Sequence, residues 1–141
     1  MKAIVRETYG SPDVLHLEEV PLPTVRDDDV LVRVRAASAN AGDWHLLRGT
    51  PFPFRLVAGL RTPKFRIIGS DVAGHVEAVG RNVTRFRPGD EVFGELSRCG
   101  FGAYAEFVRP VIDCRFALSE VPSAVRYVED GHARGKVVVT V

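Results

Sequence analysis

Residues 30–36 alternate between apolar and charged or small side chains, and this pattern constrains the fold more than any other feature of the sequence. A repeat of two residues places alternate side chains on opposite faces of a strand, so the segment predicts a half-buried β-strand. Turns rich in glycine and proline, such as residues 88–90, separate further short segments of strand character. Several short strands of this kind predict a small barrel or sandwich. The further segments are residues 1–5, 15–20, 72–79, 91–93 and 104–108.

Helix signals are sparse until the end of the chain. Residues 43–48 predict one helical turn at most, because a glycine and a loop rich in proline and phenylalanine follow them. Near the C-terminus, Ser119 is suited to cap a helix and Pro122 is tolerated in its first turn. Apolar residues then follow at helical spacing, and Gly131 predicts the stop. Residues 136–141 predict a last strand that returns to the sheet.

The composition is that of one folded domain. The chain has 141 residues, of which 45% are hydrophobic and 26% charged, and its net charge of +1 predicts no nucleic-acid partner. No apolar run approaches the roughly 20 residues that a membrane helix needs, so we expect no membrane partner. Charged residues occur too early in the chain for a secretory signal, which favours the cytoplasm. Cys99 and Cys114 form no Cys-x-x-Cys pair, and we expect both to be reduced.

Three stretches taken together resemble the medium-chain dehydrogenase/reductase superfamily, in its zinc-independent, quinone-oxidoreductase-like branch. They are residues 39–45, residues 68–92 with two internal glycine motifs, and residues 102–108. Their order and spacing are similar to those of the family's GroES-like catalytic domain. The resemblance implies a mainly β, GroES-like barrel with short helical turns and one C-terminal helix, and it assigns residues 1–108 to the catalytic domain.

The C-terminal part of the chain resembles the end of a full-length family member. Residues 109–141 are similar to the strand, helix and strand that follow the Rossmann nucleotide-binding domain in that family, and we expect them to complete the GroES-like domain. Val108 leads almost directly into this return segment, so the Rossmann domain itself is expected to be missing. In the intact family, NADP(H) supplies the hydride.

One glycine motif could be mistaken for a nucleotide site. Gly100, Gly102 and Ala105 match Gly-x-Gly-x-x-Ala, but a true dinucleotide fingerprint follows a strand and opens a helix. Here the motif leads into a predicted strand. We therefore assign no cofactor-binding residue and expect no tight cofactor binding by this chain alone.

The resemblance also bears on metal binding. Zinc-dependent family members carry a cysteine where this chain has Asn40, and a His-Glu pair where it has Ser70 and Asp71. Amide and hydroxyl groups cannot replace the thiolate and imidazole ligands of zinc. We therefore expect no metal, and the implied reaction is hydride transfer to a quinone or an enone.

Six residues are candidates for the substrate site. Asn40 is the first catalytic candidate, because its amide could donate a hydrogen bond to a carbonyl or to a nicotinamide carboxamide, although a role in the turn is equally compatible. His45 is the second, as a donor of a proton or hydrogen bond near neutral pH, with a plain surface histidine as the alternative. Asp43 could bind substrate or cap a helical turn. The remaining substrate-binding candidates are Arg48, Phe52 and Ser70.

Arg48 and Phe52 begin a loop, residues 48–66, with five cations and no carboxylate. The loop could be a lid over the substrate cleft, a patch for cofactor phosphate or a solvated basic face, and its length favours the lid.

Two functions are compatible with these features. The first is the catalytic, substrate-side domain of an NAD(P)H-dependent quinone or enone oxidoreductase, with a small carbonyl or quinone substrate, inactive without its nucleotide-binding domain. The alternative is a GroES-like binding or oligomerisation module without catalysis. An apolar face normally covered by the absent domain would favour association, so we expect a homo-oligomer.

Overall fold

The structure, a computed structural model, describes residues 1–110, 112–130 and 136–140. Its centre is a four-stranded antiparallel sheet in the order β5-β4-β3-β6. Val30, Val32 and their neighbours face the core, while Arg33 lies on the surface and pairs with Glu77. The predicted strand and the mainly β fold are confirmed, but Val30, Leu31 and Val32 are all buried, so burial alternates only from Val32 to Arg35. The four strands are β3 (Val30–Ala37), β4 (Asp71–Val79), β5 (Glu91–Glu95) and β6 (Phe107–Val108).

The first two strands form a separate antiparallel pair, β1 (Lys2–Val5) and β2 (His16–Glu19). Isolated bridges between Ala3 and Ala105 and between Val5 and Ile67 join β1 to the rest of the domain. The main core lies beneath the four-stranded sheet, and each large apolar side chain buried there contributes about 1.5–3 kcal/mol. This core consists of Val30, Val32, Val72, Val76, Phe86, Leu96, Ala103 and Val108.

β3 and β4 approach each other unusually closely at Gly74. A Cβ atom at this position would lie 2.1 Å from the carbonyl oxygen of Arg33, which is closer than real contacts allow. The pairing of the two strands shifts register between Val34 and Ala36, next to this contact. Only glycine can occupy this position, and its small size lets β3 and β4 lie close together here.

The chain contains one more substantial helix than predicted. Residues Ala41–Arg48 form α1, an eight-residue helix that begins two residues before the predicted single turn. It ends at Gly49, which adopts a left-handed conformation. A 3-10 turn at Phe52–Phe54 and a four-residue helix, α2 (Arg55–Ala58), follow.

α1 packs on a second, smaller core, whose buried members are Leu46, Leu47, Ala58 and Ile68.

The last helix, α3 (Val121–Glu129), lies where the sequence predicts it. Pro122 stands in its first turn, as predicted, but the predicted capping role of Ser119 is wrong because Leu118–Glu120 already form a 3-10 turn. The predicted stop at Gly131 lies outside the described residues.

The final strand does not join the central sheet. β7 (Ile112–Ala117) and β8 (Lys136–Thr140) instead form a two-stranded parallel sheet, with α3 between them in sequence. The chain nevertheless stays attached to the main sheet just past the predicted boundary at residue 108. Arg109 Nη1 donates to Oδ2 of the buried Asp29, and the Val30 N–H donates to the Pro110 carbonyl at 3.3 Å. That residues 109–141 complete the same domain remains a prediction.

A buried arginine joins β1 to the C-terminal end of α1. Arg6 is fully buried, and its Nη1 donates to the carbonyl oxygens of Leu46 at 2.6 Å and Leu47 at 3.1 Å. Its Nε donates to the carbonyl oxygen of Phe65 at 3.2 Å. Burial lowers the pKa of Arg6 from its ordinary value. The Arg6 side chain thereby donates hydrogen bonds to two carbonyls at the end of α1 and to the carbonyl of Phe65, which lies in the segment leading to β4.

Within the part of the chain that the structure describes, no helix combines the length and the apolar character needed to cross a membrane.

Candidate functional site

The candidate site forms where β3 ends and β4 begins. Because the strands are antiparallel and Ala37 lies opposite Val72, the next residues, Ser38 and Asp71, also lie side by side. The Ser38 hydroxyl donates to Asp71 Oδ2 at 3.0 Å. Asn40 stands two residues further on and donates from Nδ2 to the same carboxylate oxygen at 2.8 Å. The register of one strand pair thus assembles a carboxylate, a hydroxyl and an amide.

The side chain of Asp43 is a second carboxylate of the cluster, and it is buried. It is 4% exposed, and its Oδ2 accepts from the Asn40 backbone N–H at 2.8 Å and from the Tyr104 hydroxyl at 3.0 Å. Its Oδ1 accepts from the Ser70 hydroxyl at 3.1 Å. The buried charge is therefore compensated by three donors, as a buried carboxylate requires.

The predicted position of Asp43 just ahead of a helical turn is wrong. α1 begins at Ala41, so the extended residue Asn40 is its N-cap and Asp43 is its third residue. From there Asp43 accepts from the N-cap backbone, as the acidic partner of a capping box does. Asp43 therefore stabilises the helix start from inside the helix, and it also fixes Ser70 and Tyr104.

The contacts of Asn40 decide which way its amide points. A carboxylate can only accept, so the atom 2.8 Å from Asp71 must be the NH2 group. The same nitrogen lies 3.0 Å from Ser38 Oγ and 3.5 Å from Ser70 Oγ. Both amide hydrogens are directed at these internal acceptors. The side-chain oxygen of Asn40 accepts from the Asp43 backbone N–H and so completes the capping box of α1.

An open groove of about 500 Å³ adjoins the cluster. Ser38 and Asp71 form its polar end, and Phe93, which is 60% exposed, forms part of its apolar wall. A small planar molecule could place an apolar ring against this wall and a polar group near the cluster. The other lining residues are Ala36, Ala37, Val72, Ala73, Gly94 and Glu95.

Gly69 allows Tyr104 to reach Asp43. Gly69 has a φ of +96°, and a Cβ atom there would lie 2.7 Å from the Tyr104 ring. The Tyr104 backbone N–H also donates to the Ile68 carbonyl at 3.1 Å. A glycine is therefore needed both for the backbone conformation and for the position of the ring.

Burial, reinforced by the nearby carboxylate of Asp43, raises the pKa of Tyr104 to about 12. We expect one of the three tyrosines to titrate late in an ultraviolet titration, and Tyr104→Phe to remove that late step. Because the folded pKa lies above the unfolded value of about 10, this group's contribution to stability is complete below pH 10 and is lost as the pH rises toward 12. Persistence of the late step in Tyr104→Phe would contradict the assignment.

The structure brings together three of the six predicted site residues, Asn40, Asp43 and Ser70. His45 lies toward the other end of α1, half-buried, with Nδ1 2.9 Å from the Thr50 carbonyl. A carbonyl only accepts, so Nδ1 carries the proton and Nε2 is the basic nitrogen of the neutral ring. Arg48 is the last residue of α1 and Phe52 follows the helix; both are exposed, and neither has a recorded hydrogen bond to the cluster.

Three members of the cluster were not among the predicted site residues: Ser38, Asp71 and Tyr104. Pairing residues 30–37 with residues 72–79 as neighbours would have placed Ser38 beside Asp71. Tyr104 was hidden because residues 104–108 were predicted as one strand. That prediction is wrong for Tyr104, since β6 begins at Phe107. Left-handed backbone at Gly100, Phe101 and Gly102 delays the strand.

The described residues at the positions predicted for zinc ligands, and those of the glycine motif, differ from a zinc site and from a phosphate site. Asn40 and Ser70 offer an amide and a hydroxyl at the positions of two zinc ligands, and both are engaged with carboxylates. Within the described ranges, no group of three His, Cys, Asp or Glu side chains is placed to hold a metal. Gly100 and Gly102 follow a 3-10 turn and open no helix, so they offer no helix N-terminus to a phosphate.

Antiparallel sheets, a capped helix at the exit of the central strand and a polar cluster around that helix define a GroES-like domain. Residues 26–116 match the family of the alcohol dehydrogenase GroES-like domain. The chain belongs to this family, within the medium-chain dehydrogenase/reductase superfamily, and the resemblance to its quinone-oxidoreductase-like members is confirmed.

Quinone oxidoreductases from other organisms are similar to most of this chain. The chloroplastic quinone-oxidoreductase homolog of Spinacia oleracea is 38% identical over 109 residues, which cover 76% of this chain and 31% of that protein. The quinone oxidoreductase of Sus scrofa is 36% identical over 121 residues, covering 85% of this chain and 34% of the relative.

The solved structure of the quinone oxidoreductase from Coxiella burnetii superposes with a TM-score of 0.65 at 33% identity, covering 77% of this chain and 34% of that one. The chain thus spans about a third of the length of these relatives.

Proposed function

We propose that this chain is the substrate-side domain of a zinc-independent, NAD(P)H-dependent quinone or enone reductase. The observation that carries the proposal is the closed hydrogen-bond cluster of Asn40, Ser70 and Asp71 at the positions where zinc-dependent members hold the metal. A domain that has replaced its metal ligands with such a cluster can still bind and orient a carbonyl compound beside it.

The groove next to the cluster supplies the binding volume for this function. Its apolar wall, including Phe93, suits a quinone or enone ring, and its polar end is formed by Ser38 and Asp71. A nicotinamide nucleotide supplies the hydride when it is bound, and NADP(H) is the expected cofactor of the intact enzyme. Asn40 would hold the Ser38 and Asp71 side chains in place at the polar end of the groove, and His45 is retained as a catalytic candidate.

Because the described residues offer no cradle for the nucleotide phosphates, we expect this chain to show no NADPH oxidation with quinones above the rate without protein. Calorimetric titration with NADPH should give no heat of binding. Micromolar binding of the nucleotide or appreciable turnover by the chain would overturn this expectation.

Binding of the substrate can be tested separately by an NMR titration with duroquinone, whose ring carries no free position for thiol addition. We expect changes in the amide chemical shifts of Ser38, Asp71 and Ala73. In Asn40→Ala, Ser38 and Asp71 lose the amide that contacts them, so we expect an affinity for duroquinone that is at least several-fold weaker. Asn82→Ala is the matched control, because the Asn82 amide also donates to a carboxylate, that of Asp28, but on a distant exposed surface. Shifts absent from the groove would favour a module without catalysis.

The homo-oligomeric state and the cytoplasmic location remain predictions. Sedimentation of the purified chain at high concentration tests the first, and a sharply monomeric profile would contradict it.

A further inference from the structure

The charge of the chain is very unevenly distributed. Residues 44–70 contain five cations and no carboxylate, so this stretch carries +5 and the remainder of the chain −4. Two of the five are occupied: Arg66 pairs with Glu7 and Glu18, and Arg55 donates to the carbonyls of Gly49 and Arg48. The other three are exposed and have no carboxylate partner within the described part of the chain. They are Arg48, Arg61 and Lys64.

Exposed apolar side chains lie between these cations in sequence. The helical stretch from Phe52 to Ala58 places Phe54 and Ala58 against the smaller core. Phe52 and Leu56, also four residues apart, are left 64% and 73% exposed, and Leu60 is 52% exposed. Leu56 is the most exposed large apolar side chain of the described residues. Three such side chains exposed within nine residues are unusual for a solvated loop and are typical of an interaction surface.

We define the cationic–apolar patch as the exposed members of this stretch, namely Arg48, Phe52, Leu56, Leu60, Arg61 and Lys64. We propose that the cationic–apolar patch docks on the surface of a lipid bilayer that contains anionic lipids. Its apolar side chains enter the boundary between headgroups and acyl chains, and its cations contact the lipid phosphates. This is a peripheral contact and requires no membrane-spanning segment.

Charge and composition favour a bilayer over a second copy of the chain and over nucleic acid. A second copy of the chain would bring the same unpaired cations against Arg61 and Lys64, and like charges disfavour that contact. Nucleic acid would use the cations, but it stacks on aromatic rings and gains little from Leu56 and Leu60. Residues 44–70 carry +5 and so supply positive charge that an anionic bilayer attracts, although the net charge of the whole chain is only +1.

The experiment is co-sedimentation of the full chain with phosphatidylcholine vesicles, with and without phosphatidylglycerol. We expect binding only to the anionic vesicles and weaker binding at high salt. Phe52→Gln/Leu56→Gln should lower the partition coefficient about tenfold or more. Arg61→Gln/Lys64→Gln should lower it about 30-fold, from about 1 kcal/mol for each charge.

Two matched controls separate the patch from a general surface effect. Leu17→Gln removes a side chain that is 64% exposed outside the patch, and Arg81→Gln removes an exposed cation outside it. Both should bind anionic vesicles like the parent chain, and thermal unfolding should show all variants folded. Failure of the parent chain to bind anionic vesicles, equal binding to neutral vesicles, or equal losses in the controls would each overturn the proposal. Arg61→Gln/Lys64→Gln changes neither a residue of the groove nor a substrate-binding candidate, so duroquinone binding by this variant should stay unchanged whichever result is obtained.

Discussion

Asp43→Ala is expected to lower the free energy of unfolding by about 3–5 kcal/mol, because it removes the acceptor of three hydrogen bonds in a buried site. The donors left behind are the Asn40 backbone N–H and the hydroxyls of Ser70 and Tyr104. The two hydroxyls can rotate toward other acceptors, but the N–H cannot. Urea unfolding monitored by circular dichroism measures the loss.

Two further variants make this result specific to the cluster. Asp43→Asn keeps one side-chain oxygen as an acceptor, so it should cost less than alanine and should bring the pKa of Tyr104 down toward its ordinary value. Asp13→Ala is the surface control, because Asp13 accepts a hydrogen bond from Ser11 in an exposed turn. It should change stability by less than about 0.5 kcal/mol. Equal losses in Asp43→Ala and Asp13→Ala would show that the cluster adds no stability.

Arg6→Met is expected to lower the free energy of unfolding by about 3 kcal/mol, because two buried carbonyl oxygens and one part-buried carbonyl oxygen lose a charged donor while the volume is largely retained. The carbonyls belong to Leu46, Leu47 and Phe65. Hydrogen exchange should show faster opening at the C-terminal end of α1 than in the central sheet.

The control for Arg6 is Arg81→Met. Arg81 is an exposed arginine whose Nε lies 2.7 Å from Asp27, and exposed ion pairs of this kind contribute about 0–1 kcal/mol. If Arg6→Met were as mild as Arg81→Met, the carbonyls would have found water or other donors, and Arg6 would not be the anchor of α1.

The strands were predictable because their information is local. The alternation of residues 30–36 requires only the two-residue period of a strand, and the structure places β3 there with one residue added. α1 was underestimated because its start depends on a contact between Asn40 and Asp43 rather than on a run of apolar residues. The sequence does contain the capping-box pattern, with Asn40 as the polar residue and Asp43 as the acid three positions later. The predicted turn nevertheless started at Asp43, because the pattern was not used to place the start of the helix.

The candidate site was predictable only in part, because it depends on contacts between segments distant in sequence. Asn40 and Ser70 could be identified by alignment with the positions of zinc ligands. Tyr104 reaches Asp43 from 61 residues away, through space that only Gly69 leaves open. Neither the contact between Tyr104 and Asp43 nor the space left by Gly69 can be read from the residues next to them in sequence. The parallel pairing of β7 and β8 escaped prediction for the same reason, since each strand alone is compatible with either sheet.

The anchor at Arg6 has a consequence for behaviour in acid. Its partners are peptide oxygens, which gain no proton in the range where carboxylates become neutral, so acidification leaves these three hydrogen bonds intact. The surface pairs of Arg66 depend instead on the carboxylates of Glu7 and Glu18. The attachment of the C-terminal end of α1 to Arg6 therefore differs from these surface pairs in having no titratable acceptor.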